Sequence, residues 1–285
     1  MSGSTPFTFA GATALLTGAA SGMGEQMAYG LASRGSDLVL VDRDADRLET
    51  VAATVRKANP GTGVTTYVVD LADLDALEKT AATILAEHPG ITLLINNAGV
   101  ALGGEFSDLT AEEFQWVQDI NFRAPVALTR LFLPTLLEAP GSHIVNLSSL
   151  FGLIAPGGQT AYAASKFAIR GFSEALRHEL SGKGVGVTTV HPGGIRTRIA
   201  ETARVASAAS QEQARQGKAS FNKLLTFPAD QAAEQILTGI EKRKARVLIA
   251  SSAVVPDLLA RLFPTSYMKV LGMLRPEVSS KRRPE

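Results

Sequence analysis

Seven short apolar runs recur along the chain, and longer segments of helical periodicity separate them. The runs are ATALLT (12–17), DLVLVD (37–42), VTTYVVD (64–70), TLLINN (92–97), HIVNLSS (143–149), GVTTVHP (186–192) and RVLIA (246–250). Consecutive apolar positions are typical of strands that are covered on both faces, and a helix between successive strands favours parallel pairing. The sequence therefore predicts an α/β fold in which helices flank both faces of a doubly wound, seven-stranded parallel sheet.

The chain is long enough for one large domain, and its ends differ in character from its centre. It has 285 residues, of which 45% are hydrophobic and 19% are charged. We expect a flexible N-terminus over residues 1–8, a single α/β domain over 9–250, and a helical extension with a tail over 251–285. The extension places Leu258, Leu259, Leu262 and Phe263 on one helical face, which must be buried somewhere. Packing over a cleft or against a sister subunit is the favoured interpretation, and shallow membrane attachment is the alternative.

Charge and composition exclude several classes of function. The formal net charge of +1 gives no reason to expect a nucleic acid partner. The absence of cysteine rules out disulfides, thiolate catalysis and thiolate metal sites, and we expect no metal. The N-terminus lacks the pattern of a signal peptide, and no run approaches the ~18 apolar residues needed to cross a bilayer. These features predict a cytoplasmic protein.

The loop TGAASGMG (17–24) follows the first predicted strand and precedes a helix expected to open at about Glu25. Gly18 would permit a tight turn, Gly22 would let the backbone approach a pyrophosphate, and Gly24 would allow close packing. The helix N-terminus would add free N–H groups and the positive end of a dipole. The loop therefore indicates a dinucleotide site, although a glycine loop alone could be an ordinary turn between a strand and a helix.

Asp42 ends the second predicted strand, 18 residues beyond Gly24. A carboxylate at about this offset reaches the adenosine ribose hydroxyls and repels the 2′-phosphate of NADP, which favours NAD. Arg43 leaves NADP open as an alternative, because a guanidinium could bind that phosphate. A solvated surface charge is the simpler interpretation of Arg43.

Tyr162 and Lys166 lie four residues apart at the start of a predicted helix, on one face of it. A neighbouring ammonium and the positive charge of an oxidised nicotinamide would lower the tyrosine pKa and make it a usable proton acceptor. Ser149 precedes Tyr162 by thirteen residues and could enter the same crevice. In isolation, the pair would be read as a half-buried aromatic residue and a surface lysine.

Taken together, these motifs resemble the short-chain dehydrogenase/reductase family over about residues 9–250. The resemblance implies a Rossmann fold, a catalytic set of Asn121, Ser149, Tyr162 and Lys166, and a substrate-covering segment at 198–227. The resemblance implies that Ser149 would bind the substrate oxygen and that Asn121 would carry a water that links Lys166 to solvent. Alternatively, Asn121 only satisfies backbone groups in a helix kink near Pro125. Ser148 is expected to be a structural hydroxyl. The resemblance and the loop together predict cofactor contacts from Thr17, Gly18, Ser21, Gly22, Met23, Gly24, Asp42, Arg43, Asp70, Leu71, Asn97, Ala98, Gly99, Tyr162, Lys166, Pro192, Gly193, Ile195 and Thr197.

The activity implied is interconversion of a secondary alcohol and a ketone, or of an alcohol and an aldehyde, by hydride exchange with NAD, with NADP possible. Ser149, Phe151 and Tyr162 are the expected substrate contacts, and the apolar residues after Ser149 suggest a hydrophobic small molecule or plain core packing. The alternative is a non-catalytic dinucleotide-binding regulatory or scaffold protein, which would more naturally have lost the tyrosine or the lysine. The resemblance also implies a homodimer or homotetramer.

Overall fold

The computed structural model describes residues 5–210 and 225–274, together with residues 212, 215, 217, 219 and 222. Part of the predicted substrate-covering segment, between 211 and 224, and the tail 275–285 therefore lie outside the described residues.

The predicted seven-stranded parallel sheet is confirmed. Its strands are β1 (Thr13–Thr17), β2 (Asp37–Asp42), β3 (Val64–Val68), β4 (Ile91–Asn96), β6 (His143–Leu147), β7 (Gly186–Pro192) and β11 (Arg246–Ile249). Their order across the sheet is β11-β7-β6-β4-β1-β2-β3, and each neighbouring pair is parallel. Strands β3 and β6 end two residues before the predicted runs do, so that Asp70 and Ser149 lie in the loops beyond the carboxyl edge.

Helices cover both faces of the sheet, as the doubly wound pattern predicts. One face carries α1 (Gly22–Ala32), α2 (Ala45–Ala58) and α8 (Ala229–Glu241), whose apolar residues form one core with Leu16 and Leu38. The other carries α3 (Leu74–Glu87), α5 (Ala124–Glu138) and α6 (Thr160–Glu179), which pack on Leu15 and Val39. Neighbouring residues on β1 and β2 thus alternate between the two cores, because successive strand side chains point to opposite faces.

The helical segment from 111 to 138 is interrupted. It consists of α4 (Ala111–Gln118), one π-helical turn (Asp119–Arg123) and α5, which begins at Ala124 with Pro125 in its first turn. A capping box between Thr110 and Glu113 starts α4. The π turn buries Asn121 and carries it toward the carboxyl edge of the sheet.

Short elements complete this edge. β5 (Leu102–Gly103) pairs with β9 (Arg204–Val205), and β8 (Ile195–Arg196) pairs with β10 (Phe227–Pro228). A short α7 (Ile199–Thr202) follows β8, and 3-10 turns lie at Phe106–Asp108 and Leu150–Gly152.

The C-terminal extension forms α9 (Ser251–Leu262) and α10 (Tyr267–Leu274). Helix α9 packs inward through Ala253, Pro256 and Asp257, whereas Leu258, Leu262 and Phe263 are exposed. The monomer thus leaves uncovered most of the face that the sequence predicted to be buried. Among the described helices, none combines the length and apolarity that crossing a bilayer requires.

Candidate active site

The glycine loop turns sharply between β1 and α1. Gly18 and Gly22 adopt φ values of +68° and +60°, a region that favours glycine. A Cβ on Gly24 would lie 1.9 Å from the carbonyl oxygen of Gly18, so only glycine lets the helix approach the turn so closely. Helix α1 begins at Gly22, three residues before the predicted start at Glu25, because the loop closes directly into the first turn.

The end of β4 fixes this loop through Thr17 and Asn97. The Thr17 Oγ1 accepts hydrogen bonds from the backbone N–H groups of Asn97 and Ala98, both at 3.1 Å. The Asn97 side-chain amide donates to the carbonyl oxygens of Thr17 at 3.0 Å and of Gly18 at 3.1 Å. These bonds satisfy backbone groups that the sharp turn leaves without helix or strand partners.

Asp42 is tied to the backbone on both sides. Its Oδ2 accepts from the Ala20 N–H at 3.0 Å, and its Oδ1 accepts from the Asp44 N–H at 3.1 Å. The carboxylate is therefore held in one orientation beside the glycine loop. The exposed side chain of Arg43 follows it, and Arg47 lies one helical turn further on, 3.5 Å from Asp44.

A cleft opens at the carboxyl edge between the glycine loop, β2, the residues after β3 and β4, and the residues after β8. Of the predicted cofactor residues it is lined by Gly18, Ser21, Gly22, Met23, Asp42, Arg43, Asp70, Leu71, Asn97, Ala98, Gly99 and Thr197. The remaining ones do not line it: Thr17, Gly24, Tyr162, Lys166, Pro192, Gly193 and Ile195.

The predicted residues outside the cleft have identifiable surroundings. Ile195 is buried in the core shared with α1, and Thr17 is buried beneath the loop it holds. A Cβ on Gly193 would lie 2.1 Å from the Ser252 Oγ, so Gly193 accommodates the start of α9. For these three residues, the contacts that the structure shows are with the protein itself.

Other cleft residues were not among the cofactor contacts predicted from the sequence. They are Ala20, Val41, Asp44, Arg47, Val69, Val100, Ile120, Arg198, Ile199 and Thr202. Several of them are adjacent in sequence to a predicted cofactor residue, and this adjacency could have identified them as cleft residues. Arg47 had no such signal, since only the helical geometry of α2 brings it back beside Arg43.

The cleft fits a dinucleotide on structural grounds. Ser21, the N-cap residue of α1, makes no side-chain cap hydrogen bond, so its hydroxyl does not occupy the first-turn N–H groups that would meet a phosphate. The segment after β8 lies across the loop, because a Cβ on Gly22 would be 3.0 Å from the Thr197 side chain. A bound pyrophosphate would thus lie against glycine backbone at a helix N-terminus, with Asp42 toward the adenosine end.

A second group of residues gathers around the first turns of α6. Tyr162 and Lys166 are both buried, and the Lys166 Nζ lies 5.7 Å from the centre of the Tyr162 ring. Ser149 is the N-cap of the 3-10 turn after β6, where its Oγ accepts from the Phe151 N–H at 3.1 Å. The Phe151 ring stands edge-on to the Tyr162 ring with centroids 6.0 Å apart. The structure thus brings Ser149, Phe151, Tyr162 and Lys166 close together.

Lys166 is held by the end of β6. Its Nζ donates to the Leu147 carbonyl oxygen at 3.0 Å, while its own carbonyl oxygen accepts from the buried Ser148 hydroxyl at 2.8 Å. A Cβ on Gly99 would come within 3.2 Å of both the Lys166 Nζ and the Asn121 Oδ1. Gly99, which lines the cleft, therefore also lies next to the Lys166 ammonium.

Asn121 bonds to the backbone beside the cleft. Its Oδ1 accepts from the Val100 N–H at 2.8 Å, and its Nδ2 donates to the Val100 carbonyl at 3.0 Å and to the Ser165 Oγ at 3.1 Å. Both amide protons are used, which matches the alternative of an asparagine that satisfies backbone groups at the kink. Its water-holding role stays a prediction.

Burial governs the titration of Tyr162 and Lys166. It raises the pKa of Tyr162 above its ordinary value of 10.0, and the hydrogen bond with Ser149 acts in the opposite direction. It lowers the pKa of Lys166 from 10.5 to about 8. Burial thus opposes the lowering of the Tyr162 pKa that a bound pyridinium is expected to cause.

His191 supports Ser149 and was not identified as a site residue. Its Nδ1 donates to the Ser149 carbonyl oxygen at 3.2 Å, and burial lowers the pKa of His191 to about 4, which keeps the ring neutral. In sequence His191 stands directly before Pro192, and this adjacency was its only signal.

Comparison with known proteins agrees with this architecture. The profile of the short chain dehydrogenase family matches residues 12–208. The protein named "Putative oxidoreductase SadH" from Mycobacterium tuberculosis is 39% identical over 270 residues, which are 93% of this chain and 95% of that relative. Dehydrogenase/reductase SDR family member 7B of Mus musculus is 32% identical, over 92% of this chain and 80% of its own.

Solved structures show the same fold. A short chain dehydrogenase/reductase from Burkholderia phymatum, in complex with NAD, superimposes with a TM-score of 0.83 at 27% identity, covering 98% of this chain and 99% of its own. A short-chain dehydrogenase from Sphingobium yanoikuyae, in complex with NADPH, gives a TM-score of 0.72 at 29% identity and covers 96% of each chain. The chain belongs to the short-chain dehydrogenase family, and it is an oxidoreductase with the Rossmann fold of that family.

Proposed function

We propose that this protein interconverts a secondary alcohol and a ketone, or an alcohol and an aldehyde, by hydride exchange with a nicotinamide dinucleotide. The observation that carries the proposal is the juxtaposition of Ser149, Tyr162 and Lys166 in one buried group at the carboxyl edge. The glycine loop opens the neighbouring cleft, and Gly99 connects the two parts.

Tyr162 exchanges the proton. In alcohol oxidation the phenolate accepts the hydroxyl proton, and in carbonyl reduction the phenol donates a proton to the oxygen of the new alcohol. Ser149 donates a hydrogen bond to the substrate oxygen where negative charge develops. A bound nicotinamide supplies or accepts the hydride.

Lys166 sets the charge beside Tyr162. With a pKa of about 8, Lys166 is mostly protonated at neutral pH, and its positive charge stabilises the phenolate. Its bond to the Leu147 carbonyl holds the ammonium 5.7 Å from the centre of the tyrosine ring. Desolvation makes this charge effective, because few waters are present to screen it.

NAD is the proposed cofactor. Two backbone N–H groups orient the Asp42 carboxylate next to the cleft, where it would accept from ribose hydroxyls and repel a 2′-phosphate. Arg43 and Arg47 line the same end, which is why NADP remains the competing choice.

A small apolar molecule is the proposed substrate. Phe151 packs edge-on to Tyr162 and is half-buried, so that part of its ring can meet a ligand. The following residues Leu153 and Ile154 are buried in the protein, so Phe151 is the proposed apolar contact for the substrate.

Substitution of Tyr162 by Phe tests the proposal. Tyr162→Phe keeps the ring packing and removes the proton carrier, so kcat should fall by at least ~100-fold while the affinity for NADH is unchanged. Turnover is followed by nicotinamide absorbance on a panel of secondary alcohols and ketones, and binding by fluorescence titration. Tyr67→Phe makes the same chemical change at a tyrosine that bonds to Glu87 away from the cleft, and it should keep full turnover.

Retention of the wild-type rate by Tyr162→Phe would refute the assigned role. A wild-type protein that binds dinucleotide but turns over no alcohol or carbonyl compound would instead favour a non-catalytic binding protein of the same fold.

A further inference from the structure

The outer face of α9 is apolar and exposed. Val254, Val255, Leu258 and Leu262 are 47, 50, 56 and 63% exposed. Their spacing places them on one side of the helix, since residues three, four, seven and eight apart are neighbours on a helical surface. Solvated helices ordinarily present polar side chains there, so this stripe indicates a surface that something covers.

The opposite face of α9 is firmly attached to the domain. Asp257 is buried and bonds to both terminal nitrogens of Arg246 on β11, at 2.5 and 3.0 Å. Ala253 and Pro256 are buried beside it, and the Tyr267 hydroxyl on α10 accepts from the Ala155 N–H at 3.0 Å. These contacts fix the rotation of α9 about its axis. The apolar stripe therefore faces outward while the helix is packed on the domain.

The exposed charged side chains on α9 and α10 are positive. Arg261 and Lys269 are exposed, and Asp257 is the only acidic side chain among the described residues of 251–274. Since Asp257 is buried and bonded to Arg246 and Arg261, it offers no carboxylate to the surface. The sequence of 275–285 adds Arg275, Lys281, Arg282 and Arg283 against Glu277 and Glu285.

We infer that the α9–α10 surface, defined by the stripe with Arg261 and Lys269, docks on an anionic lipid bilayer. An apolar stripe flanked by exposed cations matches the boundary between acyl chains and negatively charged headgroups. A second copy fits less well, because pairing of this surface with itself would bring cations together without a carboxylate to oppose them. The inference concerns attachment alone and does not depend on the proposed reaction.

Vesicle co-sedimentation of the full chain tests the inference. Wild type should bind vesicles of phosphatidylcholine with 30% phosphatidylglycerol at least ~10-fold more tightly than pure phosphatidylcholine, and the difference should shrink in ~0.5 M NaCl. The double substitution Leu258→Ser with Leu262→Ser should weaken binding at least ~10-fold by removing apolar surface from the acyl boundary. Lys269→Glu should weaken binding to the anionic vesicles only.

Matched controls exclude general effects of the substitutions. Phe106→Ser removes another exposed hydrophobic residue, 67% exposed and outside the α9–α10 surface, and it should bind vesicles as wild type does. Thermal unfolding of each variant checks that the fold is intact. Light scattering of wild type and of the double variant reports the oligomeric state.

Two results would overturn the inference. One is full binding by the leucine double variant, which would assign attachment to the 275–285 sequence. The other is no binding of wild type to anionic vesicles; if the double variant also loses its oligomeric state, a second copy covers the stripe.

Discussion

Replacing Lys166 by Met removes a buried charge and keeps a side chain of similar length. Burial lowers the pKa of Lys166 from 10.5 in the unfolded chain to about 8 in the fold, so between these pH values the unfolded chain binds more protons. Wild-type stability should therefore rise with pH across this window, relative to a variant that has no group to titrate. With ~1.4 kcal/mol for each pKa unit, the gain from pH 7 to pH 10 is on the order of 2–3 kcal/mol.

Urea unfolding of wild type and Lys166→Met without nucleotide, at pH 7 and at pH 10, measures this gain. Taking the difference between the two proteins cancels the titration of all other groups. Near pH 7 the variant should be about as stable as wild type, because relief of desolvation is offset by the loss of the bond to the Leu147 carbonyl. Lys79→Met makes the same substitution at an exposed position of α3 and serves as the matched control.

A difference between wild type and Lys166→Met that stays constant from pH 7 to pH 10 would refute the reasoning. It would mean that water reaches the ammonium and that Lys166 keeps an ordinary pKa in the folded protein. The proposed electrostatic effect of Lys166 on Tyr162 would then lose its basis, because a hydrated ammonium is strongly screened.

Two further predictions concern the nucleotide cleft. Gly24→Ala should lower the free energy of unfolding in urea by ~1–3 kcal/mol and weaken NADH binding, because the new Cβ would lie 1.9 Å from a backbone oxygen. The control Gly90→Ala adds a Cβ with no atom within 4 Å and should have neither effect. Wild type should bind NADH more tightly than NADPH in fluorescence titrations, and Asp42→Asn should shift this preference about tenfold toward NADPH. Tighter binding of NADPH by wild type would show that Arg43 outweighs Asp42 and that the cofactor choice is wrong.

The sequence by itself determined the sheet and the components of the nucleotide site. Strand and helix periodicities depend on residues close together in the chain, so they predicted seven parallel strands and helices on both faces. The glycine loop could also be read locally, because Gly18 and Gly22 adopt backbone conformations that other residues disfavour. The spacing of Tyr162 and Lys166 placed them on one helix face for the same reason.

Only the tertiary structure decided what surrounds these residues. The pKa of Lys166 and the bonding of Asn121 to Val100 arise from segments that are distant in the chain. Leu258, Leu262 and Phe263 lie exposed in the monomer, and apolar spacing alone identified them as a face without saying what covers it. Asp257 and its bond to Arg246 set that choice, because a buried carboxylate needs a cation and this pairing turns the leucines outward.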